Sequence, residues 1–118
     1  MKWDISEDRP IWIQLKEQIV KKIVAGVYVS GEKLPTVRDL AKEAGVNPNT
    51  MQRALAALDQ EGLVITNRTI GRVVTQEKEI IAAHRREVAT GIIENFYSDM
   101  KDLGFDKEEA IKLLVQYK

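Results

Sequence analysis

The sequence predicts a mainly α-helical protein with one small β-hairpin, and three observations carry that expectation. Apolar residues recur every three or four positions over most of the chain, which is the period of one helix face. Two β-branched runs, Leu-Val-Ile-Thr at 63–66 and Arg-Val-Val-Thr at 72–75, bracket a short polar tip. Cap residues and stop glycines fall where each helical period begins and ends.

The elements follow in order. Pro10 suits the first position of a helix, where no amide donor is needed. After it Ile11, Leu15, Ile19 and Ile23 fall at steps of four, widened by Trp12, Val20 and Val24. This predicts an amphipathic helix from Pro10 to Ala25, ended by Gly26. Val27–Pro35 then reads as a loop marked by Gly31 and Pro35. Thr36 is an N-cap, and Asp39 at the third helical position resembles the far half of a capping box. That second helix is short and stops at Gly45. Only Val46 separates it from Asn47, a good N-cap, with Pro48 at the next helix's first position. Val46, Met51, Leu55 and Leu58 make the buried stripe of this third helix, and Gly62 stops it.

Two short helices joined by so tight a turn form a helix-turn-helix. The strands at 63–66 and 72–75, joined through Asn67–Gly71, add a wing, so residues 1–75 read as a winged helix-turn-helix domain. From Gln76 the helical period returns. Ile81, Val88, Ile92, Phe96, Met100 and Leu103 form one stripe, which Gly104 ends. Asp106 and Glu109 make a capping box for a last helix carrying Ala110, Ile111 and Leu114, with Phe105 placed to staple against Ala110. Residues 76–118 therefore read as a second, two-helix domain.

The chain has 118 residues, 44% hydrophobic and 31% charged, as expected of a globular protein too apolar for disorder. No apolar run reaches membrane-spanning length, and Met1–Pro10 lacks a secretory apolar core, so a cytosolic protein is expected. With no cysteine and one histidine, no disulfide framework and no metal site is expected. No glycine-rich phosphate loop appears, and the carboxylates sit as caps or on solvated faces, so no enzyme and no cofactor is expected. Net charge is zero. Residues 1–75 hold 11 Lys/Arg against 9 Asp/Glu, and residues 76–118 hold 7 against 9. Charge totals therefore do not signal a nucleic-acid partner, and the placement of the charges must do so.

Placement does. Capping accounts for Asn47, but Asn49, Gln52 and Arg53 crowd the first turns of the third helix opposite Met51 and Leu55. In a helix-turn-helix this end enters the DNA major groove. There Asn and Gln match the edge of adenine and Arg that of guanine. Arg38 heads the preceding helix, Lys33 lies in the loop before it, and Arg68 and Arg72 sit on the wing, where they would neutralise phosphates.

The run Gly31–Thr50, "GEKLPTVRDLAKEAGVNPNT", with "RALAALDQEGLV" and a wing carrying Gly71, resembles the GntR family of bacterial transcription regulators over residues 9–75. The opening "PIWIQL", the "VNPNT" turn and the short tail are similar to the YtrA branch of that family. The resemblance implies a DNA-binding repressor. Its DNA contacts fall on Arg38, with Lys33 and Thr36 beside it, on Asn47, Asn49, Thr50, Gln52 and Arg53, and on Arg68, Thr69, Gly71 and Arg72 of the wing. Two departures stand out. Many relatives carry Arg where this chain has Pro48, and the wing "RTIGRVV" departs from the glycine-rich form of the family.

A tail of 43 residues is too short to enclose a sizeable ligand cavity, and its apolar stripe has too little partner surface within one chain. A homodimer is expected, built on Ile81, His84, Val88, Ile92, Phe96, Met100, Leu103, Phe105, Ile111 and Leu114. His84 is taken as an interface residue in preference to a metal ligand or pH switch. Gly91 in mid-helix fits either close helix approach or a kink. The partners expected are double-stranded DNA carrying an inverted repeat and a second copy of the chain. Phe96, Tyr97, Met100 and Phe105 could line a small effector groove, or serve equally well as dimer core. The alternative function is a winged-helix module that binds protein instead of an operator.

Overall fold

Of the stripe predicted from steps of four, Leu15, Ile19 and Ile23 lie at the centre of the core, 0–3% exposed, whereas Ile11, at the helix start, is 39% exposed. They belong to α1 (Ile11–Val24), which with α2 (Val37–Ala44) packs on α3 (Pro48–Gln60). Met51, Ala54, Leu55 and Leu58 of α3 and Leu40 of α2 complete the interior. Each large side chain so removed from water contributes about 1.5–3 kcal/mol. The chain continues through β1 (Val64–Asn67), β2 (Gly71–Val74), α4 (Lys78–Asp102) and α5 (Lys107–Gln116). The computed structural model describes residues 3–118. They form two compact units, one running to Arg85 and one spanning Arg86–Lys118, with the boundary inside α4.

The turn between α2 and α3 is made as its residue types predict. Gly45 adopts φ +73°, a left-handed conformation that glycine reaches without strain. Asn47 then caps α3, its Oδ1 accepting from the Asn49 amide at 2.8 Å, with Pro48 at the first helical position. At α2 the Thr36 hydroxyl accepts from the Asp39 amide at 3.1 Å. The reciprocal bond expected from Asp39 does not form among the described residues. An aspartate is one methylene shorter than the Glu or Gln that closes such a box.

Three further expectations are corrected. Pro10 lies at the N-cap, just outside α1, with ψ 131°; its carbonyl accepts from the Gln14 amide, and the extended ψ lets the preceding segment run along the helix. That segment is tied to α1 by side-chain amides. Gln14, only 3% exposed, accepts from the Ser6 amide at 2.8 Å and donates to the carbonyls of Ser6 and Arg9. Gln18, one turn on, accepts from the Asp4 amide and donates to its carbonyl. Lys22, one turn further, lies 3.8 Å from the Trp3 ring centroid, and burial pushes its ammonium below the usual lysine range, with nearby Glu43 opposing. So α1 carries a polar seam beside its apolar stripe.

The second correction concerns Val27–Pro35, which is not wholly loop. The Gly31 and Leu34 amides donate to the carbonyls of Val74 and Arg72, and the Val74 amide to Glu32, each at 2.9 Å. The segment thereby lines the β2 edge, which β1 leaves open on its other side. Third, β1 and β2 each begin one residue from the predicted position, pairing Val64 with Val74 and Asn67 with Gly71.

In the first unit Glu61, at the C-cap of α3, pairs with Lys16 of α1 and lies 3.2 Å from Nε2 of His84 on α4. His84 Nδ1 donates to the Ile80 carbonyl at 2.9 Å. In the second unit Asp106 and Glu109 close the expected capping box in both directions, at 2.8 and 3.1 Å, and Ala110 is buried. Gly91 is helical, and a side-chain carbon there would meet nothing within 4 Å.

Candidate nucleic-acid interface

Pointing the polar side chains at the head of α3 outward follows from what the helix buries. Met51, Ala54, Leu55 and Leu58 occupy one side, fully enclosed. Asn49 and Arg53, four residues apart, stack on the opposite side, with Gln52 beside them; all three are exposed. Thr50 is half-buried. Asn47 is exposed, but its side-chain oxygen is engaged by the cap, leaving only the NH2 group to donate outward. The Arg53 guanidinium carbon stands 4.5 Å from the ring centroid of Trp12 on α1, a cation–π stack.

Around the start of α2 the structure gathers a second group. Lys33, Thr36, Ile70, Gly71 and Arg72 line one open groove of about 260 Å³, together with Leu34, Pro35 and Val37. Gly71 adopts φ +109°, a backbone most side chains avoid, and the Lys33 aliphatic chain lies 3.6 Å from where a Cβ would stand there. Lys33 is exposed, as is Arg38 in the first turn of α2, and neither forms an ion pair among the described residues. The helix N-terminus adds partial positive charge at the same place.

The wing tip is ordered by Asn67, whose Oδ1 accepts from the amides of Thr69 and Ile70 at 2.9 and 3.0 Å. Arg68, Thr69 and Ile70 are exposed beyond it. Arg72, expected as a phosphate contact, also has a partner within the chain. Its Nε donates to Asp59 of α3 at 3.3 Å, and the Thr66 hydroxyl is 3.0 Å from both Asp59 oxygens. The pair ties the wing to α3 and balances the Arg72 charge locally.

Sequence reasoning gave no site role to Trp12, Asp59 or Asn67. An asparagine before the tip of a hairpin is a turn signal and marked Asn67. Nothing in the spacing of Trp12 from Arg53, or of Asp59 from Arg72, connects those pairs before the chain is folded.

The expected dimer residues divide between the units. Ile81 and His84 lie in the first, half-buried, and both nitrogens of His84 are engaged within the chain. In the second, Val88, Met100 and Phe105 are half-buried, whereas Ile92 (59%), Phe96, Leu103 (74%), Ile111 and Leu114 are exposed. No helix among the described residues is long and apolar enough to cross a membrane, and no group of three His, Asp or Glu there could hold a metal ion.

Comparison with known proteins places this geometry. Residues 13–74 match the bacterial regulatory proteins of the gntR family. An uncharacterized helix-turn-helix transcriptional regulator of Bacillus subtilis, YhcF, is 35% identical over 107 residues, covering 91% of this chain and 88% of that protein. The transcriptional repressor YtrA of the same organism is 34% identical over 73 residues, covering 62% and 56%. Among solved structures, a GntR family transcriptional regulator from Listeria monocytogenes superposes with a TM-score of 0.86 at 36% identity, covering 97% of this chain and all of that one. The DNA-binding domain of AraR, solved in complex with its operator, superposes with a TM-score of 0.55 at 29% identity over 64% of this chain and 92% of that one.

Proposed function

The chain belongs to the gntR family of bacterial regulatory proteins and is a DNA-binding transcriptional regulator, and from that premise we propose that it acts as a homodimeric repressor on an inverted-repeat operator. The observation that carries this reading is the exposed, polar head of α3 beside the exposed cations Lys33 and Arg38. Asn49, Gln52 and Arg53 read base edges in the major groove, and Asn47 and Thr50 support them at its rim. Lys33, Thr36 and Arg38 hold the phosphate backbone, helped by the α2 N-terminus. Arg68 and Thr69 enter from the wing, with Gly71 giving the strand its bend. Arg72 contributes by fixing the wing on Asp59.

Residues 1–75 serve DNA binding and residues 76–118 dimerisation. The exposed apolar residues Ile92, Phe96, Leu103, Ile111 and Leu114 support a helical interface with a second copy, and Gly91 admits a close approach. His84, tied to Glu61, is left outside that interface. A two-fold axis would present two recognition helices to successive major grooves about 34 Å apart. Repression follows by occupancy of the operator in the cytoplasm, with no catalytic step and no cofactor.

The test is footprinting on the DNA upstream of the protein's own coding sequence, with transcription from that DNA measured alongside. Two protected half-sites related by inversion, with transcription falling as they fill, are expected. A single unpaired site would contradict the dimer. No protection at low salt would contradict operator binding in favour of a protein partner, and transcription rising on binding would contradict repression.

A further inference from the structure

Three arginines and lysines of the first unit are neutralised where they sit: Arg9 by Glu17, Lys16 by Glu61 and Arg72 by Asp59. Arg53 is held in another way. Its guanidinium lies on the face of Trp12, 4.5 Å from the ring centroid, and it forms no ion pair among the described residues. The distinction matters chemically. A carboxylate that orients an arginine also cancels its charge and occupies its donors. An indole attracts the guanidinium through the negative face of its ring and leaves the planar fork of N–H groups open at the edges. Arg53 is therefore positioned and still fully charged. It shares one side of α3 with Asn49, at the head of the helix. Trp12 comes from the second residue of α1, outside the helix-turn-helix pair.

We propose that Trp12 is a positioning residue for DNA binding, its ring holding Arg53 ready to contact the duplex. The proposal rests on the operator-binding reading above. A free arginine side chain loses rotamer entropy when it is fixed. Stacking on Trp12 removes part of that loss before the DNA arrives, so the indole raises affinity without touching DNA itself. Trp12 then behaves as part of the recognition surface although it belongs to the supporting helix.

The experiment is a double-mutant cycle. A duplex is first selected by the wild-type protein from a randomised pool; failure to select any would sink the operator reading itself, and this proposal with it. Binding of that duplex is then measured across a salt series for the wild type, Trp12→Leu, Arg53→Ala and the double variant. Leucine keeps an apolar side chain against α3 but removes the ring face. Arg53→Ala is expected to weaken binding about ten-fold and to relax discrimination at the base pair it reads. Trp12→Leu should weaken binding about two- to five-fold with the salt dependence unchanged, because the charge remains. The double variant should bind no more weakly than Arg53→Ala alone, and Trp12→Phe should recover part of the loss. Independent effects of the two substitutions, or wild-type affinity in Trp12→Leu, would overturn the proposal. So would wild-type affinity in Arg53→Ala. In that case the loss of binding expected from Arg38→Ala would show whether the operator reading survives. Should Trp12→Leu not fold, the same cycle with Trp12→Phe decides, with a smaller loss confined to the Arg53 background.

Discussion

Single side chains in this protein fix backbone where the fold needs it, and most of them are short polar residues used once. Asn47, Thr36, Asn67 and Asp106 each accept an amide hydrogen bond at the start of a turn or helix. Such a cap is worth about 1 kcal/mol. Asp59 does more than cap. It receives Arg72 and Thr66 from the two strands and so sets where the wing stands on α3. Its side chain is 26% exposed, which reduces the ion-pair contribution below that of a buried pair. Asp59→Ala is expected to lower stability by about 1 kcal/mol, measured by urea denaturation. A change within error of zero would show that the wing holds its place through the backbone ladder alone. Asn47, Thr36 and Asp106 were legible in the sequence, because a cap lies next to the helix it serves. Asp59 was not, since its partners come from strands that reach it only after folding.

At the scale of elements, legibility followed the same divide. Helices α1 and α3 were read from apolar spacing and α2 from its cap and stop glycine; Leu15, Ile19 and Ile23 of α1 and Met51, Leu55 and Leu58 of α3 are buried as picked out, whereas Ile11 at the head of α1 is exposed. The edge formed by Gly31–Leu34 on β2 was missed because it contains no β-branched run and is held by backbone groups, which every residue has. The polar seam of Gln14, Gln18 and Lys22 was hidden for a similar reason: glutamine at helical spacing reads as a solvated face until a chain segment lies on it. The head of α3 was legible as a candidate site because polar residues there answered no need of the core. The tie of Arg72 to Asp59 was not legible, since charge alone does not tell which way a side chain folds. In α4 and α5 the prediction concerns what one chain leaves open. Ile92 is 59% exposed on a helix in which no residue is fully buried. Ile92→Asp should convert the proposed dimer to monomer in sedimentation equilibrium while leaving the melting of the first unit unchanged. A dimer of undiminished strength would place the interface elsewhere.

Taken whole, the molecule binds a polyanion without being basic. Its 18 Lys and Arg are matched by 18 Asp and Glu, so no long-range field favours DNA overall. What favours it is distribution. Carboxylates pair with Arg9, Lys16 and Arg72, whereas Lys33, Arg38, Arg53 and Arg68 are exposed and, among the described residues, unmatched. A dimer would double that set, and its summed phosphate contacts would make binding strongly salt-dependent despite the neutral total. The measurement that tests this most directly is equilibrium binding of the wild-type protein to its selected duplex as salt is raised from about 50 to about 200 mM. Affinity is predicted to fall about a thousand-fold or more over that range, as for a protein neutralising six or more phosphates. An affinity that barely changes with salt would contradict the account, and would mean that the exposed head of α3 meets something other than DNA.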